Sequence, residues 1–516
     1  MISTVLKKQR IIIFVLFYFV LQAWPIVCFL PGTDEGFYAN PARNLIYENN
    51  LGASLYVPQL GMGNHAHYVF PTFLAFEILW TSIFGFGLVS LRALILTTMV
   101  GFFLSMRAFT RDLCKDNWPA NFVLLVCALS LTFMRLGRTI RPEAILLLFL
   151  SLTLCFTYRS LVQEKCFRMM LAGVFSALGA ATHPIGVLIP LNGFILIVLL
   201  GGKRRWGHLF RFLIGVFLVS VGVFIFLVHA GLPSFFSQMG FISHIYTARF
   251  SSSDWSYLLK TWAINLSHYY SGHRFPEMLL LLIMAGISFG QGFREKKKIV
   301  LGLILIINVI FLALVYPNKH VDYTLAFTIP FLSVLGAMGL SKRGNWPVFS
   351  LRNSFSSPSN LIASVLLCFS LLVAVTNMAR AFYAGTFWDF KSKIREMTLR
   401  ENSNQWILLG NAQYLFSFPE ERLLEVEALR DLVDWGYSKN WLAAIQLLKP
   451  KYLIVDDYFR DLGTIWPLWP AFTDTKSFRE FSSGRTHLVN ALDWQGRQIE
   501  ILEVTYDTAT ELNSTQ

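Results

Sequence analysis

The sequence predicts a polytopic α-helical membrane protein with a small C-terminal α/β domain outside the membrane. Three observations lead there. Of the 516 residues, 54% are hydrophobic and 15% charged, with a mean hydropathy of +0.51, a composition far too apolar for a water-soluble globule. Apolar runs of about 17 to 25 residues, the length that crosses a bilayer core as helix, recur from residue 10 to about 378 and then stop. Beyond them, short runs rich in Ile, Leu, Val and Tyr alternate with helix-like segments.

The expected spans cover residues 10–30, 88–109, 119–136, 143–159, 168–182, 184–200, 209–230, 277–293, 298–316, 323–340 and 360–378, eleven in all. The first, IIIFVLFYFVLQAWPIVCFL, follows the basic MISTVLKKQR. It is too long for a signal-peptide core and lacks a small-residue cleavage site, so it reads as an uncleaved span. Basic clusters at Lys7, Lys8 and Arg10, at Arg111 and Lys115, at Lys165 and Arg168, at Lys203 to Arg205, at Arg294 and Lys296 to Lys298, and at Lys342, Arg343 and Arg352 occupy every second connection. That is the positive-inside pattern with a cytoplasmic N-terminus.

Charge divides at the same point. Residues before Arg380 hold 29 of the 44 Lys and Arg but 12 of the 31 Asp and Glu, so the positive charge behind the net +13 belongs to the membrane part and the remainder is slightly acidic. Cytoplasmic loops account for it, and no nucleic-acid surface is implied. All six cysteines lie in or beside apolar runs, which suggests neither a disulfide framework nor a Cys metal site.

Residues 1–379 therefore form the membrane domain and 380–516 an extracytoplasmic α/β domain. In the latter, WILLG (406–410) and KYLIVDDYF (451–459) read as strands, with EERLLEVEALRDLV and NWLAAIQLLK as helices between them. The first outer loop, 31–87, contains FPTFLAFEILWTSIFGFG, apolar but interrupted by Glu77 and Gly, which reads as a helix lying along the interface. A helix beginning at Gly36 would leave Asp34 near its N-terminus.

The outer connections collect ionisable groups: Asp34 and Glu35 in GTDEGFY, Arg135, Arg138, Arg141 and Glu143 in MRLGRTIRPEA, His183 in ATHPIG, His244 in GFISHIY, and Lys319, His320 and Asp322 in YPNKHVDY. Basic residues on this face run against the positive-inside rule and point to specific partners. A carboxylate among bound cations suits deprotonation of a hydroxyl or amine, while Arg and Lys suit a phosphate. Together they describe transfer from a phosphate-bearing donor. The plain alternatives are an interfacial acid at Asp34, salt bridges from Arg138 and Arg141 to Glu143, and hydrogen-bonded interfacial histidines.

TDEGFYANPARNL, HYVFPTFLAFEILWTSIFGFGLVSLRALILTTMVGFFLSMRAF, RTIRPEAILLLFLSL and ALGAATHPIGVLIPL resemble, in that order, motifs of the C-type, polyprenyl-phosphate-dependent glycosyltransferases. That family includes protein O-mannosyltransferases and aminoarabinose transferases. The resemblance is collinear over residues 10–340, and the C-terminal strands and helix resemble the extracytoplasmic domain of bacterial members. It implies a polytopic fold of about eleven transmembrane helices in a cell inner membrane. The implied activity is transfer of a sugar from a polyprenyl-phosphate donor to an extracytoplasmic acceptor, which could be lipid, glycan or protein.

The resemblance places catalytic carboxylates at Asp34, with Glu35 beside it, and at Glu143. It places the donor phosphate at Arg138, Arg141, Lys319 and His183, although many members have Lys where His183 stands. His244 matches a metal-binding histidine of some aminoarabinose transferases. The accompanying carboxylate is absent from NHAHYVFP, which leaves His67, or His65, as its substitute. No cofactor is required on this reading, and a divalent metal stays open. The competing class is a transporter or flippase of a lipid-linked saccharide, which should show ionisable groups deep in its spans and a repeat between halves; neither stands out here.

Overall fold

The computed structural model describes residues 2–53, 55, 65–67, 69–247, 274–292, 294–315, 321–340, 358–383, 386–398, 407–409, 412–418, 423–425, 441–456, 484–494 and 497–505. Its first fourteen helices are α1 (Ile2–Cys28), α2 (Thr33–Glu48), α3 (Pro71–Phe84), α4 (Leu88–Cys114), α5 (Asn117–Leu129), α6 (Leu131–Leu136), α7 (Glu143–Gln163), α8 (Cys166–Ala180), α9 (Leu188–Leu200), α10 (Arg205–Thr247), α11 (Arg274–Gly290), α12 (Lys296–Val315), α13 (Val321–Ala337) and α14 (Pro358–Tyr383). A helix thus lies over every segment expected to span. Among the described residues, α4, α7, Gly202–Gly240 and Pro358–Ala381 are long and apolar enough to cross a bilayer by length and composition alone.

Two spans differ in detail from expectation. Residues 119–136 form two helices because Ser130 leaves the helical range at ψ 131°. The segment expected at 209–230 continues to Thr247 through a kink at Gly231 (φ 101°, ψ 85°), with Pro233 close behind. Glycine tolerates that backbone, and proline removes a helical donor. The exposed side of α10 is apolar, with Phe210, Phe217, Phe224 and Ile225 all outward, as a lipid-facing helix requires.

The buried core runs through α4, α5, α7 and α13 and carries much aromatic area. Tyr18 of α1 meets Phe103 edge-on at 5.0 Å, and Phe102 meets Phe133 at 5.3 Å. Such pairs contribute roughly 0.5–1.5 kcal/mol beyond area burial. The first and last membrane helices are joined where Trp24 Nε1 donates to the carbonyl of Ala381 at 3.1 Å.

Helix α2 starts at Thr33 rather than Gly36, so Asp34 and Glu35 both lie in its first turn. Glu35 completes the cap by accepting from the Gly32 backbone N–H at 2.8 Å, and acids there also favour the helix dipole. Helix α3 occupies the segment expected to lie along the interface, and its Leu79, Ile83 and Phe84 are exposed. Glu77, however, is fully buried, and among the described residues neither carboxylate oxygen has a hydrogen-bond partner. Burial pushes its carboxyl well above the usual range, so the group folds inward as a neutral acid.

Beyond α14 come α15 (Phe387–Thr398), β1 (Ile407–Leu409), β2 (Leu423–Glu425), α16 (Trp441–Leu448), β3 (Tyr452–Val455), β4 (Thr486–Trp494) and β5 (Arg497–Val504). The strands form one sheet in the order β2-β1-β3-β5-β4, parallel across the first three and antiparallel across the last three. β1 and β3 fall on the two runs expected as strands, and α16 on NWLAAIQLL. Leu423–Glu425 is a correction: read as helix from its charges and leucines, it is an edge strand, because parallel pairing with β1 overrides weak local propensity. The sheet end of the chain is seated on the first outer loop. A Cβ on Gly36 would lie 1.8 Å from the Ala412 carbonyl oxygen, so only glycine permits α2 and the 3₁₀ turn Ala412–Phe416 to approach this closely.

Candidate functional site

The C-terminal end of α1 and the N-terminal ends of α2, α4 and α7 converge around two acids with opposite surroundings. Glu35 is buried, and four donors occupy its carboxylate. Arg92 gives Nε to Oε1 and Nη2 to Oε2, both at 2.8 Å. The backbone N–H groups of Gly32 and Ile140 add bonds of 2.8 and 3.0 Å. Arg92 in turn donates through Nη1 to the carbonyls of Ile26 and Phe29 at 2.8 and 2.7 Å, and through Nη2 to Leu30 at 3.2 Å. One bidentate pair thereby fastens the end of α1, the first turn of α2, helix α4 and the 137–142 turn together. In the sequence Arg92 stands as a lone arginine inside the apolar run LVSLRALILTTMV, which is the available signal of a buried partner.

Asp34, one residue earlier, is 51% exposed. Its Oδ2 lies 2.9 Å from Arg141 Nη1, and Arg141 Nε lies 3.3 Å from Oε2 of Glu143, which is fully buried at the first position of α7. Arg141, 17% exposed, therefore spans a wet acid and a dry one. Arg138 is half-buried with its guanidinium 4.1 Å from the centre of the Phe29 ring, and Nη1 donates to Asn377 Oδ1 at 3.3 Å. Among the described residues it has no carboxylate partner. Burial, reinforced by Arg135 and Arg92, pushes its guanidinium down to about 10, which leaves it protonated near neutral pH.

Asp34, Glu35, Arg138, Arg141 and Glu143 are thus brought together from two stretches distant in sequence. The other expected residues have different surroundings or lie outside the described residues. His183 caps the 3₁₀ turn Pro184–Val187, its Nδ1 accepting from the Ile185 N–H at 3.3 Å. That turn is tied to the start of α3 by the Thr72 N–H donating to the Ala181 carbonyl at 3.0 Å. Lys319 lies outside the described residues, as does the side chain of His244.

His65 and His67 stack with ring centroids 5.9 Å apart. Gln238 of α10 fastens both backbones, accepting from the His67 N–H at 2.7 Å and donating to the His65 carbonyl at 2.8 Å. Burial pushes both imidazoles below the ordinary histidine value, helped by His229 beside His65 and by His65 beside His67. Among the described residues no three His, Cys, Asp or Glu side chains group as a metal would need.

No protein-family model matches the chain, and no curated protein matches it. Solved structures do. ArnT from Cupriavidus metallidurans bound to undecaprenyl phosphate is similar with a TM-score of 0.60 at 14% identity, over 96% of this chain and 98% of that one. The same protein in the apo state gives 0.53 at 14% identity, over the same shares. An Archaeoglobus fulgidus oligosaccharyltransferase in complex with zinc and sulfate gives 0.57 at 15% identity, over 91% of this chain and 70% of that one. Motif order, helix order and these neighbours agree that the chain has the polytopic membrane fold of the C-type glycosyltransferases.

Proposed function

We propose that the protein transfers a sugar from a polyprenyl-phosphate donor to an extracytoplasmic acceptor, with Asp34 as general base. The observation that carries this reading is a half-exposed carboxylate 2.9 Å from Arg141, at the outer end of the first membrane helix. The bound undecaprenyl phosphate of one structural neighbour supports the donor class.

In the proposed reaction Asp34 takes the proton of an acceptor hydroxyl or amine as that atom attacks the anomeric carbon from the face opposite the phosphate. The new bond forms as the bond from carbon to phosphate oxygen breaks, and its electron pair leaves with the polyprenyl phosphate. Configuration inverts. Arg138 and Arg141 supply the charge-assisted hydrogen bonds that stabilise the leaving phosphate. Lys319 and His183 join them by the sequence resemblance. Glu143 orients Arg141 from its dry side. Glu35, saturated by four donors, is a positioning residue that sets where Asp34 points.

The proposed setting is a cell inner membrane, with residues 1–379 as the membrane domain and 380–516 outside with the site. The test compares wild type with Asp34→Asn at equal expression, reading release of polyprenyl phosphate and appearance of sugar on the acceptor. A loss of about a hundred- to ten-thousand-fold is expected for removal of a general base. Full turnover by the variant overturns Asp34 as base. Movement of intact donor across vesicles by wild type, without cleavage, overturns the transferase reading in favour of a flippase.

A further inference from the structure

The end of the membrane domain farthest from the acids carries a concentration of charge that the proposed chemistry does not use. Helix α7 starts at Glu143 and runs 21 residues to Gln163, about 30 Å at 1.5 Å per residue, so the turn that follows it lies across the membrane from Glu143. The connection between α9 and α10 opens at the same end. There Arg204 pairs with Glu164 and joins the 3₁₀ turn Gly202–Arg204 to the turn between α7 and α8.

Six cations gather at this junction, Lys165 and Arg168 from the first turn and Lys203, Arg204, Arg205 and Arg211 from the second turn and the start of α10, against one acid, Glu164. Two other basic connections at this end have acids in place: Asp112 takes both Arg111 and Arg159, and Glu295 lies 3.7 Å from Lys298. Here only Arg204 has a carboxylate, and Arg168 donates to the Gln163 side-chain carbonyl. Lys165, Lys203, Arg205 and Arg211 form no ion pair among the described residues.

Packing holds the arrangement. A Cβ on Gly173 would lie 2.0 Å from the Phe212 carbonyl oxygen, and one on Gly215 would lie 2.0 Å from that of Met170. Helices α8 and α10 therefore touch backbone to backbone, which keeps the starting turn with Arg168 close to the one with Arg205 and Arg211. Between Arg204 and Arg211, about one turn from each, His208 is buried, and its Nδ1 has no hydrogen-bond partner among the described residues. A buried nitrogen of that kind is rare and calls for a partner.

Aromatic side chains stand beside the cations. Phe167, Trp206 and Phe210 are strongly exposed, and the Arg205 guanidinium lies 5.6 Å from the centre of the Trp206 ring. Phe210 continues into the outward apolar side of α10 with Phe217 and Phe224. The patch thus joins unneutralised bases to the lipid-facing surface. Basic clusters between membrane helices receive anionic headgroups, with Trp at headgroup depth, and Arg and Lys give a phosphate charge-assisted hydrogen bonds.

We infer that the turns joining α7 to α8 and α9 to α10 form a binding site for an anionic phospholipid of the cytoplasmic leaflet, with Lys203, Arg205 and Arg211 on its phosphate and Trp206 and Phe210 along its chains. The site is separate from the proposed transfer chemistry, which supplies only the name of the leaflet.

The full chain in uncharged detergent is titrated with dioleoyl phosphatidylglycerol or dioleoyl phosphatidylcholine, counting bound lipid by native mass spectrometry, with inorganic phosphate as competitor. Wild type should hold phosphatidylglycerol roughly tenfold more tightly than phosphatidylcholine. Lys203→Gln combined with Arg205→Gln removes two exposed charges, so the thermal midpoint should stay put while phosphatidylglycerol affinity falls roughly tenfold or more. Trp206→Ala, also at an exposed position, should weaken both lipids severalfold. Lys115→Gln combined with Lys296→Gln removes the same charge from this face outside the patch and should leave binding unchanged. An equal loss in that control pair would reduce the patch to the general positive field of the face and overturn the site. So would affinity unchanged in both patch variants, or displacement of the lipid by an equal concentration of inorganic phosphate, which would mark a free-anion site. A wild type without lipid preference overturns it too and leaves the patch to an acidic soluble partner.

Discussion

The Arg141 guanidinium reaches the Asp34 carboxylate at 2.9 Å. This pair is half in water and contributes modestly to stability, about 0–1 kcal/mol. Its meaning lies in competition. On the proposed reading, a phosphate arriving with its own negative charge would draw on the same guanidinium and leave the carboxylate to face the acceptor.

Arg141→Ala should therefore impair two steps. Polyprenyl-phosphate affinity should fall by the roughly 1.5–3 kcal/mol of a hydrogen bond to a charged group, and turnover at saturating donor should fall as well. Isothermal titration and a turnover assay on the same preparation check this; normal affinity and turnover would leave only the salt bridge.

Arg138 predicts a pH dependence. Since burial and neighbouring arginines bring its guanidinium down to about 10, it is charged through neutral pH and discharges above that value. Polyprenyl-phosphate affinity of wild type should stay level to about pH 9 and then drop. Arg138→Gln should be weaker throughout and lack that drop, as read by ligand titration from pH 6 to 11.

Arg92→Ala leaves the buried Glu35 charge uncompensated. Loss of one partner from such a pair costs about 3–5 kcal/mol, so a large fall in thermal midpoint is expected. Arg92→Lys keeps the charge without the bidentate geometry and should fall in between. Equal midpoints for wild type and Arg92→Ala would contradict the brace.

Glu77 gives a pH effect of opposite sense to an ion-paired acid. Its folded value is raised above the ordinary 4.5, so the folded state holds the proton more tightly than the unfolded chain. That group thus lowers stability progressively as pH rises above 4.5. Glu77→Gln should be more stable than wild type at pH 8 and indistinguishable below about pH 4, measured by thermal unfolding in detergent. A gap that does not shrink with acid would refute the neutral-acid reading.

Much of this was legible in the sequence because membrane physics is read locally. Every apolar run became a helix, and ILL and YLIV became strands. The outer acids and arginines in TDEG and RTIRPEA were found because they stand out beside apolar runs. Their division of labour was not legible. Asp34 and Glu35 are adjacent and chemically alike; only three-dimensional packing puts Arg92 and two backbone N–H groups on one and water on the other. Glu77 looked like a break in an interfacial helix and is instead folded inward. Leu423–Glu425 carried a helix-like pattern that pairing with β1 overrode.

The seat of Ala412 on Gly36 also orders events during biosynthesis. A ribosome synthesising this chain makes Asp34 long before the segment that packs over its helix has been translated. The nascent protein holds the first turn of α2 without its neighbouring surface until Ala412 has been made, so a partly made chain lacks the packing that covers Gly36.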